Sequence, residues 1–336
     1  MSQTLPSPQV VPGELARAHR ISQELAAALA SRIVGQEATV QAVLTAVLAG
    51  GHSLLIGPPG VAKTLLVRTL AEALGWSFKR IQFTPDLLPG DITGTEVLRE
   101  DRLAGTRELA FVPGPVFAHV VLADEINRAT PKTQSALLEA MQERSVTAGG
   151  RTHTLPAPFL VLATENPVEQ EGTYRLPEAQ LDRFLLAIEV DYPDLAHEKA
   201  IALLPRESAA PPVPRVAATP AEILGIQAAV AAIPVAPVAL DYAVALTRAT
   251  RPQAANAPKW TKENLRWGCG PRASQHLIAA ARARAVLLGA TAVDVTHVRQ
   301  VAALVLAHRL VPTFSAAGKG LTGNSLTAQL LASLKP

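Results

Sequence analysis

Residues 57–64 read GPPGVAKT, and they lie between the apolar run SLLI at 53–56 and the helix-like run LLVRTL at 65–70. The stretch is one residue away from the phosphate-binding pattern G-x-x-x-x-G-K-[ST], because Ala62 stands where the pattern has glycine. A strand before the loop and a helix after it are the context that this pattern requires. The stretch therefore predicts a phosphate-binding loop, with a Gly-Pro turn that caps a helix as the alternative.

Each part of such a loop has a chemical task. Gly57 and Gly60 allow the turn that points backbone N–H groups inward, Lys63 reaches the terminal phosphates, and the Thr64 hydroxyl holds Mg²⁺. The positive end of the following helix also faces the phosphates. A methyl group at Ala62 is acceptable if this residue already has helical dihedral angles, and we therefore predict a φ below zero there.

Two adjacent carboxylates follow a second apolar run. Asp124 and Glu125 come directly after HVVLA at 119–123. An aspartate at a strand end can organise Mg²⁺, and a glutamate beside it can orient or deprotonate the attacking water. Solvated acids at a strand end are the alternative. Their position after a phosphate loop in an α/β pattern favours ATP hydrolysis.

Three further polar residues are candidates for the same reaction. Asn166 ends the apolar run 161–165 and could position the water or contact the γ-phosphate, although a turn asparagine before proline would look the same. Arg183 ends a predicted helix and Arg272 opens another. An arginine that reaches a γ-phosphate stabilises transition-state charge, whereas most arginines are surface residues paired with an acid.

Composition narrows the classes of function. Lys plus Arg exceed Asp plus Glu by only 3 charges in 336 residues, which disfavours nucleic acid and acidic membranes as partners. Cys269 is the sole cysteine, so an internal disulfide is excluded and a reducing cytoplasm is expected. The N-terminus lacks the pattern of a signal peptide, and prolines interrupt the longest apolar run, 223–240. We expect a soluble, cytoplasmic protein without membrane insertion.

Periodicity divides the chain into an α/β part and a helical part. The predicted strands are 53–57, 78–83, 119–123, 159–163 and 185–190, and the helices before residue 205 are 15–31, 38–49, 63–74, 131–143 and 178–183. Apolar strands without alternation indicate a doubly wound parallel sheet. After a Pro-rich linker, the helices 221–232, 239–250, 272–288 and 294–309 indicate a small all-α domain without a clear strand. The domain boundaries are a flexible tail at 1–14, an α/β domain at 15–204, a linker at 205–220 and a helical domain at 221–336.

These motifs together resemble AAA+ ATPases, and within them the MoxR family, over about residues 15–311. The motifs that carry the resemblance are IVGQ at 33–36, GPPGVAKT at 57–64, DEINRA at 124–129, QSALLEAMQE at 134–143, ATENP at 163–167, EGTY at 171–174, LDRF at 181–184 and His308-Arg309-Leu310. The Ala-Lys-Thr form of the loop is itself typical of MoxR proteins.

The resemblance implies roles for individual residues. Lys63 and Thr64 match Walker A, Asp124 and Glu125 match Walker B, and Asn166 matches sensor 1. Arg272 matches sensor 2 in a helical lid, and Arg183 matches the arginine finger presented to the neighbouring subunit. The expected metal ligands are Thr64 and Asp124. The expected nucleotide contacts are Val34, Gly35, Gly57, Pro58, Pro59, Gly60, Val61, Ala62, Lys63, Thr64, Leu65 and Asp124.

The family carries two insertions, which match residues 90–115 (an insert in the second helix) and 145–158 (a β-hairpin before sensor 1). One residue and one stretch depart from the family pattern. Arg175 stands where related sequences often have proline, and 251–267 has no confident match.

The resemblance also implies an activity and partners. The expected protein is a ring, hexameric by family expectation, that uses ATP and Mg²⁺, forms ADP, and remodels or activates protein clients with von Willebrand factor A domain partners. One alternative is a nucleic-acid motor, which the small net charge disfavours. Another is a scaffold that binds ATP with little turnover, which the intact Glu125 disfavours.

Overall fold

The chain folds into a sheet domain and a helical lid. The computed structural model describes residues 12–101, 106–168, 172–205, 211–255 and 257–335. Parts of the predicted tail (1–11), insert (102–105) and linker (206–210), as well as Glu171 of the EGTY motif, lie outside the described residues. Within the described part, no helix is both long and apolar enough to cross a bilayer.

The elements before the linker alternate between strand and helix. The helices are α1 Pro12–Ala30, α2 Glu37–Ala49, α3 Lys63–Leu74, α4 Pro89–Thr93, α5 Pro131–Glu143, α6 Glu178–Leu181 and α7 Leu195–Ala202. The strands are β1 Ser53–Ile56, β2 Phe78–Gln82, β3 Gly94–Asp101, β4 Thr106–Pro113, β5 Val120–Asp124, β6 Ser145–Ala148, β7 Arg151–Thr154, β8 Leu160–Glu165 and β9 Leu186–Glu189. The first helix therefore begins at Pro12 rather than at the predicted Leu15.

The central sheet has five parallel strands in the order β2-β5-β8-β1-β9. Strands β5, β8 and β1 are adjacent, so the chain leaves all three at the same edge of the sheet. The phosphate loop follows β1, the carboxylate pair ends β5, and Asn166 follows β8. This topology is the reason why motifs far apart in sequence form one site.

Both faces of the sheet are buried, which confirms the predicted α/β class. Leu55 and Leu122 pack in a cluster with α1, α2, α3 and the lid, whereas Leu54 and Ala123 pack in a second cluster with α4 and α5. Because successive side chains of a strand point to opposite faces, a strand buried on both faces is continuously apolar. The five residues of β5 are all buried.

The two predicted insertions are antiparallel hairpins. Strands β3 and β4 pair after the short helix α4, and β6 pairs with β7 after α5. The hairpins meet where Phe111 stacks on His153 with ring centroids 4.0 Å apart.

The lid follows a segment that lies along the sheet domain. Val216 donates a backbone hydrogen bond to Ala73 of α3 at 2.8 Å. The lid helices are α8 Pro220–Ala231, α9 Pro237–Ala249, α10 Lys259–Asn264, α11 Pro271–Leu287, α12 Val295–Leu306, α13 Phe314–Gly318 and α14 Gly323–Ser333. A 3₁₀ turn at Ala307–Arg309 extends α12.

The lid also contains one short strand pair that the sequence did not predict. Strand β10 (Leu265–Trp267) pairs antiparallel with β11 (Val311–Pro312). It lies partly in the unmatched stretch 251–267. These strands have only three and two residues, which is too short for a pattern of alternating apolar residues to be recognised.

Candidate nucleotide-binding site

The loop between β1 and α3 has a backbone that its glycines permit. A Cβ at Gly57 would lie 2.1 Å from the carbonyl oxygen of Val190, so a side chain has no room there. Gly60 has a φ of +82° with open space around it, so it is needed for its conformation. The backbone N–H of Gly57 donates to the Glu165 carbonyl at 3.1 Å, which ties the loop to β8.

The prediction for Ala62 is wrong. Its φ is +61° and its ψ is +18°, in the left-handed region, and it precedes the first residue of α3. The position needs the conformation that glycine adopts easily, and alanine adopts it at a cost of about 1–2 kcal/mol. The loop therefore keeps the turn of the glycine pattern, and alanine is tolerated despite strain rather than because strain is absent.

Lys63, the first residue of α3, folds over the loop. Its ammonium donates to the carbonyl oxygens of Gly57 and, at 3.1 Å, of Pro58. Burial lowers the pKa of Lys63, and the negative charges of Asp124 and Glu125 oppose this shift. An ammonium has three N–H donors, so one remains for a phosphate oxygen while the loop holds the other two.

Asp124 is held at the end of β5 by two neighbouring strands. Its Oδ1 accepts a hydrogen bond from the Thr164 hydroxyl at 2.6 Å, and its Oδ2 accepts from Nε of Arg80 at 2.9 Å. Only 8% of the residue is exposed. Each carboxylate oxygen has two acceptor positions, so Oδ1 retains one for a metal-bound water, whereas Nη2 of Arg80 also lies 2.7 Å from Oδ2.

Glu125 has a left-handed backbone with a φ of +55°. Its Oε2 accepts hydrogen bonds from Nε2 of Gln82 at 2.7 Å and from Nη1 of Arg128 at 3.0 Å. The backbone N–H of Glu125 donates to the Thr164 hydroxyl at 2.8 Å. These contacts hold Glu125 at the same edge of the sheet as Asp124. A left-handed backbone is strained, so the contacts are needed to maintain this conformation.

A cleft of about 370 Å³ collects most of the predicted site. The predicted residues that line it are Pro59, Gly60, Val61, Ala62, Lys63, Thr64, Leu65, Asp124, Glu125 and Asn166. Arg68 and Thr164 line it as well. Asn166 is almost fully buried, and its Oδ1 accepts from the backbone N–H of Val168 at 3.1 Å. A lysine, hydroxyls, carboxylates and an amide thus face one space, and the Thr64 and Asp124 oxygens are of the kind that Mg²⁺ prefers.

The segment 34–36, which contains the predicted nucleotide contacts Val34 and Gly35, lies against the phosphate loop. Gln36 donates from Nε2 to the Val61 carbonyl at 2.9 Å. Gly35 has a φ of +73° and faces the ring of His197, where a Cβ would lie 2.6 Å from Cγ. Val34 and Gly35 are not among the residues that line the described cleft, and their contact with nucleotide stays a prediction.

Of the two predicted arginines, Arg272 pairs with Asp182, the residue directly before Arg183. Arg272 donates from Nη1 to Oδ2 of Asp182 at 3.2 Å. Neither arginine is among the residues that line the described cleft. Their roles as sensor 2 and finger stay predictions.

The structure adds Thr164, Arg80 and Gln82 to the residues found from the sequence. Thr164 is the last buried polar side chain before Asn166, and Gln82 ends β2 in register with Asp124. For Thr164 the available signal was a polar residue near the carboxyl end of an apolar strand, whereas β2, with the sequence FKRIQ, offered no such signal for Arg80 or Gln82. To use this signal, one needs the order of the strands in the sheet, which cannot be read from the sequence.

Comparison with known proteins agrees with this geometry. The model of the ATPase family associated with various cellular activities (AAA) matches residues 52–186, and an AAA lid domain model matches 258–329. The chain is 47% identical over 284 residues to Chaperone MoxR1 of Mycobacterium tuberculosis, covering 84% of this chain and 74% of that protein. The chain belongs to the MoxR family of AAA+ ATPases. A second relative, Protein MoxR of Paracoccus denitrificans, is 34% identical over 307 residues, covering 87% of this chain and 89% of that protein.

A solved structure supports the arrangement of the MoxR fold. The crystal structure of a protein from Cytophaga hutchinsonii, named as a candidate ATPase, superposes with a TM-score of 0.87 at 35% identity. The superposition covers 96% of this chain and 97% of that one. In this MoxR-family chain the sheet domain and the lid are therefore arranged as in that protein.

Proposed function

We propose that this chain binds ATP with Mg²⁺ and hydrolyses it to ADP and phosphate. The observation that carries the proposal is the meeting of Lys63, Thr64, Asp124, Glu125 and Asn166 at one cleft. Membership of an AAA+ family supports an ATPase activity in general.

Each side chain has a task that its contacts allow. Lys63 and the N–H groups of the loop neutralise phosphate charge, and the Thr64 hydroxyl and Asp124 would hold Mg²⁺. When bound, Mg²⁺ supplies positive charge that offsets the charge of the phosphates. Thr164 and Arg80 fix the orientation of the Asp124 carboxylate.

Glu125 is the proposed base for the attacking water. Gln82 and Arg128 both donate to Oε2, which limits the rotation of the carboxylate. Asn166 lines the same cleft and is the proposed group that orients the water or contacts the γ-phosphate.

The test is Mg²⁺-dependent release of phosphate from ATP by the full chain. We expect Glu125→Gln to bind ATP and lose turnover, because the amide keeps the shape and cannot take a proton. Lys63→Ala should lose affinity for ATP. Glu139→Gln, on the exposed face of α5, is the matched control and should leave the rate unchanged. Wild-type turnover equal to that of Glu125→Gln would instead support an ATP-dependent scaffold.

We further propose a ring, hexameric by family expectation, in which Arg183 completes the site of a neighbouring subunit. Arg183 is not among the residues that line the described cleft of its own chain, which supports action in trans. A heterologous interface that closes forms such a ring. Turnover per subunit should fall on dilution, and Arg183→Ala should abolish turnover without abolishing ATP binding. Unchanged turnover at all concentrations would contradict a finger in trans.

The proposed cellular task is chaperone-like remodelling of client protein complexes in the cytoplasm, with von Willebrand factor A domain proteins as partners. This step rests on family membership, including a relative named as a chaperone. Pull-down with the Glu125→Gln variant in the presence of ATP should retain the client. Strong stimulation of turnover by DNA, with a steep salt dependence, would replace this proposal by a nucleic-acid motor.

A further inference from the structure

The motif His308-Arg309-Leu310 has no role in the proposed ATP site. Arg309 lies at the end of the 3₁₀ turn that extends α12, and its side chain is 2% exposed. It reaches from the lid to the connection between α6 and β9 of the sheet domain. Charged side chains are almost never so buried unless their groups are fully paired.

The guanidinium of Arg309 binds the chain on both sides of Arg183. Nε donates to Oδ1 of Asp182 at 2.8 Å, and Nη2 donates to the Asp182 carbonyl at 3.2 Å and to the Phe184 carbonyl at 2.6 Å. The two carbonyls belong to the residues directly before and after Arg183. The backbone from which Arg183 projects is therefore fixed by a side chain of the lid.

Two histidines hold the guanidinium itself in place. Nδ1 of His276 lies 2.5 Å from Nη2, so the two N–H groups of Nη2 are shared among three acceptors, and Nη1 donates to Nε2 of His308 at 2.7 Å. Burial and the neighbouring positive charge of Arg309 lower the pKa of both rings, to about 4 for His276. Neutral rings can accept these hydrogen bonds, so the planar group has a single well-defined position.

Asp182 joins a second arginine to the same cluster. Its Oδ1 accepts a hydrogen bond from Arg309, and its Oδ2 accepts one from Arg272 at 3.2 Å. Arg272 opens α11, so the aspartate is bound by two separate lid helices. The orientation of the chain at Arg183 thus depends on where the lid lies.

We propose that Arg309 is a positioning residue for Arg183, and that it sets the position of the finger which one subunit offers to its neighbour. The proposal rests on the proposed function, since it needs ATP hydrolysis and a finger in trans. It predicts that the loss of the Arg309 contacts slows the neighbouring subunit's site and leaves the nucleotide affinity of its own site unchanged.

The test uses two kinds of full-length subunit mixed in equal amounts. Acceptor subunits carry Arg183→Ala, so their sites are intact but they present no finger. Donor subunits carry Glu125→Gln, so they present Arg183 but do not hydrolyse ATP. Turnover in the mixture then comes from acceptor sites served by donor fingers.

The donor is then given a second substitution in the cluster. Arg309→Lys keeps the charge but cannot reach both carbonyls, and Asp182→Asn keeps the shape but weakens the pairing. We expect either donor to lower turnover of the mixture on the order of 10- to 100-fold, as misplacement by about 1 Å can do. Their ATP affinity and assembly, measured on the donor alone, should match the reference donor, which a general loss of structure would not allow.

Arg299→Gln in the donor is the matched control. Arg299 also lies on α12 and also donates to backbone carbonyls, at 3.1 Å to Leu331 and 3.3 Å to Leu334, but both belong to the lid. This donor should support turnover as the reference donor does.

The outcomes separate the two proposals. Undiminished turnover with both Arg309→Lys and Asp182→Asn donors overturns the positioning role alone. A reference mixture without recovered turnover, when the wild type hydrolyses ATP, overturns the finger in trans and the positioning role with it. A wild-type chain that does not hydrolyse ATP overturns the proposed function.

Discussion

Thr164 donates its hydroxyl hydrogen to Oδ1 of Asp124 at 2.6 Å. The same hydroxyl oxygen accepts the backbone N–H of Glu125 at 2.8 Å. Strands β5 and β8 are neighbours, so one short side chain on β8 reaches both members of the carboxylate pair on β5. The proposed metal ligand and the proposed base are thereby fixed relative to one another by a residue to which we assign no chemical step.

Thr164→Val should lower turnover without removing ATP binding. Valine has the same shape but leaves Oδ1 of Asp124 and the N–H of Glu125 without their partner, at a cost of about 1–3 kcal/mol in stability. A comparable loss of transition-state stabilisation would lower kcat by about 10- to 100-fold. Steady-state rates at saturating ATP and thermal unfolding measure both effects.

Thr164→Ser is the control for this substitution, since it keeps the hydroxyl and loses only a methyl group. It should retain most of the wild-type kcat. Equal kcat values for the valine and serine variants would show that the hydroxyl does not position the carboxylates.

Ala62→Gly should stabilise the protein by about 1 kcal/mol. Ala62 has a φ of +61°, where glycine has no steric penalty, and this relief exceeds the greater flexibility of glycine in the unfolded chain. Chemical denaturation measures the difference. Ala73→Gly, at a buried position in the last turn of α3, is the control and should destabilise by about 1 kcal/mol. Destabilisation by Ala62→Gly would mean that the methyl group makes contacts worth more than the strain.

The sheet elements and the Walker residues could be predicted because their signals are local. Residues 120–123 of the predicted strand 119–123 are continuously apolar, and β5 is observed at Val120–Asp124 with both faces covered. The loop and helix α3 follow from a motif with a known local structure. The observed bounds of α3, Lys63–Leu74, equal the predicted ones.

The remaining features depend on contacts that no local pattern records. Arg309 meets Asp182 across 127 residues, and Arg80 meets Asp124 across 44. Only the strand order and the position of the lid bring these pairs together. The prediction of the Ala62 dihedral angles was wrong for another reason. The loop imposes a conformation that the residue type alone does not favour.

Cys269 should react slowly with thiol reagents in the native protein. It is buried, and burial raises the pKa of its thiol to about 11. Since the thiolate is the reactive form, the rate at pH 8 should be about 100-fold or more below that of an unfolded cysteine. Labelling with and without denaturant measures this ratio, and the chain has one cysteine, so the signal has one source. Fast native labelling would place Cys269 at the surface.

Acidification should destabilise the chain through its buried neutral histidines. The ring of His52 accepts the Val161 N–H at Nδ1 and donates from Nε2 to the Met141 carbonyl, and burial lowers its pKa from 6.5 to about 4. His276 is lowered to about 4 and His308 is lowered strongly as well. Below pH 6.5 these histidines bind protons in the unfolded chain but stay neutral in the folded chain. The free energy of unfolding therefore falls between about pH 6.5 and 4, with His52 contributing on the order of 3 kcal/mol.

Urea denaturation of the wild type and of His52→Gln at pH 8, 6 and 4.5 tests this assignment. At pH 8 both side chains are neutral, so the difference between the two proteins there reports packing and hydrogen bonding. On acidification the wild type should lose more stability than His52→Gln, by up to about 1.4 kcal/mol for each pH unit below 6. Parallel losses in the two proteins would mean that His52 does not stay neutral in the fold and that its burial does not resist protonation.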